Sequence, residues 1–140
     1  LRWVEESGCA SQVDLLGYRP RAAMAELYRQ SSVVVSPSTH DGTPNTLLEA
    51  MACGCFPVVG DIESLREWIT QGVNGLLVDP ADPQTLAEAI LTALNQPELR
   101  QRAREQNLRL VDERAEYGKT MSRAEQFYAV ISTAAGLVKS

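Results

Sequence analysis

The apolar residues of this chain form short runs that alternate with longer stretches in which they recur at helical spacing. Strands are predicted where a short apolar run meets a glycine, a proline or an aspartate, at 13–17, 32–36, 56–59 and 76–78. Helices are predicted between and after these runs, over 20–30, 43–54 and 62–69, from 82 and from 97. Strands that alternate with helices need crossover connections, and such connections favour parallel pairing. The pattern therefore predicts an α/β protein with a partial doubly wound parallel sheet and flanking helices.

Local signals predict where several helices begin and end. Thr43 is expected as an N-cap with Pro44 at the first helical position, and Gly54 as a left-handed C-terminal cap. Asp82 and Pro83 open a helix in the same way. The apolar face expected on that helix consists of Leu86, Ala87, Ile90, Leu91 and Leu94, and a last helix is marked by Met121, Ala124, Phe127, Tyr128 and Ile131.

The chain has the size and composition of one globular domain, with 140 residues, 44% apolar and 22% charged. We interpret 1–140 as a single domain in which about 98–140 form a helical tail that packs back on the sheet or on a partner domain. The first residues lack the pattern of a signal peptide, and no apolar run approaches the roughly 20 residues of a membrane helix. A start at Leu1 rather than Met suggests a piece of a longer chain.

The net charge and the cysteines of the chain indicate which partners and which cellular location are expected. The net charge of −5 argues against a nucleic-acid groove or an anionic membrane surface, and no nucleic acid is expected as a partner. Cys9, Cys53 and Cys55 are expected to be small buried thiols, because an odd count does not describe a disulfide framework and no metal-ligand cluster accompanies them. Reduced thiols predict a cytoplasmic location, and docking of a longer parent protein at the inner membrane face is left open.

The arginines between 100 and 109 alternate with acidic residues, which indicates a solvated helix face.

The richest candidate for chemistry lies where the strand at 32–36 runs through a polar loop into the next helix. Ligands of open α/β sheets bind at the carboxyl ends of strands, and the free amides at 45–47 would form an anion site. A phosphate or diphosphate is the expected occupant. Asp41 and Glu49 flank this site, and each carboxylate can accept two hydrogen bonds from the vicinal hydroxyls of a sugar. From these residues alone, an Asp41 that only fixes a turn and a Glu49 on a solvated face remain the alternative.

The sequence at this junction resembles the C-terminal, donor-binding domain of the retaining GT-B glycosyltransferases, in the large family four group. The resemblance rests on Ser36-Pro37-Ser38, on Asp41 and Glu49 with seven residues between them, and on Glu49-Ala50-Met51-Ala52-Cys53-Gly54. It continues through Glu67, 72–78 and 79–83 and covers nearly the whole chain. Phe56 makes one departure, because it delays the following Pro57 by one residue.

The resemblance implies roles for individual residues. Asp41, as the catalytic acidic residue, would contact hydroxyls of the donor sugar, Glu49 would bind the nucleotide ribose, and the loop with Tyr18 and Arg19 would lie against the base. The diphosphate would be held by the backbone of Gly42, Thr43, Asn45, Thr46 and Leu47. Many members of the group have Glu where this chain has Asp41, so the reach toward the sugar is one methylene shorter. The donor would be a UDP-, GDP- or ADP-sugar, and no cofactor or metal is expected.

The resemblance further implies that an N-terminal domain absent from this chain binds the acceptor, and that two strands carrying a basic pair are missing. The strand at 13–16 would then dock beside 33–35, or exposed edges would pair between chains, so self-association is expected. A non-catalytic binding or scaffolding module of Rossmann-like fold remains the alternative function. A dinucleotide-dependent oxidoreductase has little support because the sequence contains no GxGxxG motif.

Overall fold

The computed structural model describes residues 2–42, 44–115, 118, 119, 121, 122 and 126. Its strands are β1 (Val33–Ser36), β2 (Phe56–Gly60) and β3 (Leu76–Val78). Its helices are α1 (Arg2–Glu6), α2 (Arg21–Gln30), α3 (Asn45–Ala52), α4 (Glu63–Arg66), α5 (Pro83–Asn95) and α6 (Pro97–Arg114), with a 3-10 turn at Ala10–Gln12.

The three strands form one parallel sheet in the order β1-β2-β3. Val33 is in register with Phe56, and Val58 with Leu76. All five residues of β2 are buried, as expected for a central strand covered by helices on both faces. The parallel α/β architecture predicted from the sequence is therefore confirmed.

Alternate residues of β2 supply the two halves of the core. Phe56 and Val58 pack with β3, α5 and the first half of α6, around Ala93 and Leu99. Val59 faces the other side, where side chains of α3, α4 and the second half of α6 surround it. Because α6 touches both clusters, it packs back on this sheet rather than extending from it.

A buried amide pair ties α6 to the turn that precedes β3. Asn107 on α6 is fully buried, and its Nδ2 donates to the carbonyl oxygen of Asn74 at 2.9 Å. The Asn74 Nδ2 donates to Asn107 Oδ1 at 2.9 Å and to the Trp68 carbonyl oxygen at 2.9 Å, while its Oδ1 accepts from the Thr70 amide at 2.7 Å. This network satisfies two buried side chains that come from distant parts of the chain.

The segment at 13–17 is not a strand, contrary to the sequence-based prediction. Val13, Leu15 and Leu16 are 42%, 63% and 41% exposed, and the segment does not dock beside β1. A β-branched or leucine-rich run becomes a strand only when a neighbour supplies hydrogen bonds, and within the described residues β1 pairs with β2 alone. The expectation of pairing between chains remains a prediction.

The predicted bounds of two helices need smaller corrections. Pro44 has a ψ of 58°, outside the helical region, so α3 begins at Asn45 with Pro44 as its cap, and Thr43 lies outside the described residues. The helix expected over 62–69 is only Glu63–Arg66, because the amide of Trp68 donates three residues back to Leu65 and tightens the chain into a turn.

The buried face of α5 is rotated from the expected one. Leu86, Ala89, Ile90 and Ala93 face the core, whereas Leu91 and Leu94 are 58% and 49% exposed and Ala87 is also exposed. Of the five residues that mark the last predicted helix, only Met121 belongs to the described residues.

Other local predictions are confirmed. The Asp82 carboxylate accepts hydrogen bonds from the amides of Gln84 and Thr85, as an N-cap does. Gly54 has a φ of +93° just after α3, the left-handed conformation that favours glycine.

Candidate functional site

The carboxyl ends of the parallel strands meet at one edge of the sheet, as the sequence pattern predicted. The loop after β1 packs closely against the end of β2, since a Cβ added to Gly60 would lie 2.3 Å from the Ser38 carbonyl oxygen. The hydroxyls of Ser36 and Ser38 are 3.1 Å apart. The absence of a side chain at Gly60 therefore lets the loop that leads to Asp41 approach the end of β2 closely.

Helix α3 begins at the same edge and presents its first turn to solvent. Asn45 and Thr46 are exposed, whereas the Leu47 side chain is only 4% exposed and packs in the core against α4. Leu47 can therefore offer a ligand its backbone amide but not its side chain. The first amides of a helix have no carbonyl four residues earlier to donate to, and the helix dipole adds a partial positive charge there.

Asp41 lies in a cavity of about 270 Å³ between the loop after β1 and the residues around α4. Its walls are formed by Thr39, His40, Asp41, Ile62, Glu63, Ser64 and Glu67. His40 is exposed.

Glu49 lines a different cavity, of about 500 Å³. Its walls are formed by Arg21, Asn45, Leu48, Glu49, Ala52, Val111 and Ala115. Arg21, the first residue of α2, places its Nε 3.4 Å from Glu49 Oε1. Asp41 and Glu49 thus line different cavities, and Glu49 shares its cavity with a cation and with Asn45 at the start of α3.

Among the residues that the structure describes, the other predicted site residues do not line these two cavities. Tyr18 is 91% exposed, and Arg19 is exposed with its Nη1 donating to the Tyr18 carbonyl oxygen at 3.4 Å. Gly42 is exposed with open space around it, and Thr43 lies outside the described residues. Because the loop with Tyr18 leads directly into Arg21, it ends beside the Glu49 cavity.

Sequence reasoning missed Arg21, Glu63 and Glu67 as residues that line these cavities. Arg21 gives no local signal, since its proximity to Glu49 depends on how α2 packs against α3. Glu63 and Glu67 could have been found, because they follow β2, and the carboxyl ends of neighbouring parallel strands meet at one edge.

Ion pairing and burial shift the pKa of several groups near the sheet. Arg66 donates to Asp61 Oδ1 at 2.6 Å and lowers the pKa of that carboxyl, which lies just after β2. Burial raises the pKa of Cys55 to about 11 and also raises the pKa of Tyr28, whose side chain lies in the core. Cys9 is exposed, contrary to the expectation of a buried thiol, because the 3-10 turn that follows it packs on no core cluster.

A larger cavity of about 550 Å³ opens at the opposite edge of the sheet, beside the residues that precede β1 and β2. Three arginines line it, and each lies near the end of a helix. Arg29 is in the last turn of α2, Arg100 donates to the Leu94 carbonyl oxygen of α5 at 2.7 Å, and Arg104 packs over Gly54 after α3. These cations offset the partial negative charge of helix C-termini, which explains the cluster without a ligand.

Two kinds of site are not observed in the described part of the chain. No group of three or more His, Cys, Asp or Glu side chains there could hold a metal ion. Among the same residues, no helix is both long and apolar enough to cross a bilayer.

Solved structures share this fold. The sucrose-phosphate synthase of Thermosynechococcus elongatus matches with a TM-score of 0.86 at 25% identity, over 95% of this chain and 33% of that one. The HepE protein of Anabaena in complex with UDP matches with a TM-score of 0.81 at 24% identity, over 91% of this chain and 35% of that one. The architecture is that of the GT-B glycosyltransferases.

The sequence comparisons identify the family. The family model of glycosyl transferases group 1 matches residues 2–109, and the chain belongs to that family. A D-inositol 3-phosphate glycosyltransferase of Frankia alni is 38% identical over 92 residues, which is 64% of this chain and 23% of that protein. The chain thus spans about a quarter to a third of the length of such relatives.

Proposed function

We propose that this chain binds the nucleotide-sugar donor in a retaining glycosyltransferase that moves a hexose from a nucleoside diphosphate sugar to an acceptor. Family membership supports glycosyl transfer, and the finer assignment rests on one observation. One cavity is lined by Glu49, by Arg21, whose Nε lies 3.4 Å from Glu49 Oε1, and by Asn45, the first residue of α3. Those groups match the hydroxyls and the phosphates of a nucleoside diphosphate.

In this proposal the two carboxylates act on different parts of the donor. Glu49 accepts hydrogen bonds from the ribose hydroxyls, the amides at 45–47 hold the diphosphate, and Asp41 contacts the hydroxyls of the transferred sugar in its own cavity. Tyr18 and Arg19 lie against the base. As the bond between sugar and diphosphate breaks, the helix N-terminus stabilises the negative charge on the departing diphosphate, and no cofactor or metal takes part. The acceptor is bound by another domain, and the sugar keeps its anomeric configuration.

Complexes of one matching structure fit this assignment. HepE of Anabaena is described in complexes with UDP, with UDP and glucose, and with UDP-glucose. These descriptions favour a sugar nucleotide as the ligand of this chain too, while leaving its base and its sugar to experiment.

The test is a titration of the ¹⁵N-labelled chain with UDP, GDP and ADP, followed by NMR. We expect amide shifts centred on 42–49 that disappear in Glu49→Ala. Glu26→Ala is the matched control, because Glu26 is an exposed carboxylate on α2 that pairs with Arg29 and lines neither cavity. A folded chain in which no nucleotide shifts any amide, or in which the shifts centre on 29–32 and 100–108, would contradict the proposal and favour a non-catalytic module.

Two further parts of the proposal concern the location of the protein and the association of this chain with itself. We infer a cytoplasmic location, and we expect this chain to self-associate through its open sheet edge. Light scattering at several protein concentrations tests the second point, and a monomer at the highest concentration would refute it.

A further inference from the structure

We propose that Arg21 is a specificity-determining residue that binds the diphosphate of the donor directly, an inference that rests on the proposed function. Arg21 lies at the start of α2, lines the same cavity of about 500 Å³ as Glu49 and Asn45, and is not part of the predicted site.

The ion pair between Arg21 and Glu49 leaves most of the guanidinium available. The Nε–Oε1 distance of 3.4 Å exceeds the roughly 2.7–2.9 Å of a charge-assisted hydrogen bond. The side chains are 88% and 43% exposed, and pairs as exposed as this contribute little to stability. Within the described residues Arg21 makes no other polar contact, so both Nη groups can still donate. The pair therefore gives no structural reason for an arginine at this position.

The neighbours of Arg21 indicate which ligand group it would contact. Glu49 presents hydrogen-bond acceptors, which suit hydroxyl groups and repel an anion. Asn45 starts the first turn of α3, whose free amides favour an anion. Arg21 can therefore complete an anion site with that turn while Glu49 accepts from hydroxyls. A planar guanidinium that donates two parallel hydrogen bonds matches a phosphate group in a way that lysine does not.

The exposure of Arg21 further implies that it changes partners. Without a ligand it stays near Glu49, and with a ligand its Nη groups turn to the phosphates and leave both Glu49 oxygens to the ribose. Arg21 would thus favour diphosphates over nucleosides without contacting base or sugar.

The experiment compares the affinities of UDP, GDP and ADP with those of the matching nucleosides, measured by NMR titration of wild type and Arg21→Ala. We expect the diphosphate affinity to fall about tenfold and the nucleoside affinity to stay unchanged. Arg21→Lys should recover only part of the loss, because lysine keeps the positive charge but cannot donate two parallel hydrogen bonds to a phosphate group. Arg29→Ala is the matched control, since Arg29 is on the same helix and pairs with Glu26 instead.

Each other outcome contradicts a distinct claim. Equal losses for diphosphate and nucleoside would mean that Arg21 only positions Glu49, and no loss for either would mean that it has no role in binding. Both results overturn this inference and leave the proposed function standing. If the folded wild-type chain binds none of the three diphosphates, the proposed function fails and this inference fails with it.

Discussion

The buried amide pair of Asn74 and Asn107 allows a quantitative test of how α6 is held on the sheet. Replacing Asn107 by Ala removes two hydrogen bonds of 2.9 Å, and it leaves the Asn74 carbonyl oxygen and one Asn74 N–H without that partner in a buried site. Each unsatisfied buried group costs about 1–3 kcal/mol. The higher helix propensity of Ala returns at most about 0.7 kcal/mol. The unfolding free energy should therefore fall by roughly 1–5 kcal/mol, out of a typical total of about 5–15 kcal/mol.

The assay is equilibrium urea unfolding followed by circular dichroism, with wild type, Asn107→Ala and Gln106→Ala measured side by side. Gln106 is the preceding residue on α6 and is exposed, so its replacement should change the unfolding free energy by less than about 0.5 kcal/mol. Asn74→Ala should also destabilise, and the double variant should lose much less than the sum of the two single losses, because both substitutions remove the same bonds. Equal stability of Asn107→Ala and Gln106→Ala would refute the reasoning.

Three shorter predictions concern other parts of the chain. Gly60→Ala should lower the unfolding free energy by about 1–3 kcal/mol and shift the amides of the loop before Asp41 in NMR spectra, because its Cβ would meet the Ser38 carbonyl oxygen. An unchanged loop spectrum would contradict the close approach. Hydrogen bonds in the first turn of α5 lower the pKa of Asp82, so its contribution to stability is present at neutral pH and is lost as the pH falls through the lowered folded-state pKa. Acid unfolding should show a weaker dependence on pH in Asp82→Asn, and identical curves would count against this. With its pKa raised to about 11, buried Cys55 should resist iodoacetamide at pH 8 while exposed Cys9 is modified, as mass spectrometry would show. Rapid labelling of Cys55 in the folded chain would exclude that burial.

The sequence predicted those parts of the fold that depend on local signals. The strand at 33–36 contains three consecutive valines and stops before a proline, and Asp82 next to a proline marks a helix start in the sequence itself. The run at 13–17 has a similar apolar content and still fails to form a strand. Strand formation depends on a hydrogen-bonding neighbour, and the neighbour is not part of the local pattern.

The candidate site likewise has residues that the sequence could predict and residues that it could not. Asp41 and Glu49 could be proposed from a strand, a loop and a helix that are consecutive in the chain. The proximity of Arg21 to Glu49 joins residues that are far apart in sequence, and so does the pairing of Asn74 with Asn107. Such contacts depend on how helices pack against each other, and the spacing of residues in a single sequence does not show that packing.

The acidic residues around the Asp41 cavity have a consequence for the kinetics of binding. Glu63 and Glu67 line that cavity, and the whole chain carries a net charge of −5. An anion that diffuses toward this edge is therefore repelled at distances up to about 10 Å at 0.1 M salt, before it reaches the amides of α3. Added salt should then speed the encounter, because it screens this repulsion, while it weakens the short-range contacts that hold the ligand afterwards. Association and dissociation rates would both rise with ionic strength. Where a ligand is attracted by the charge of its site, added salt lowers the association rate instead.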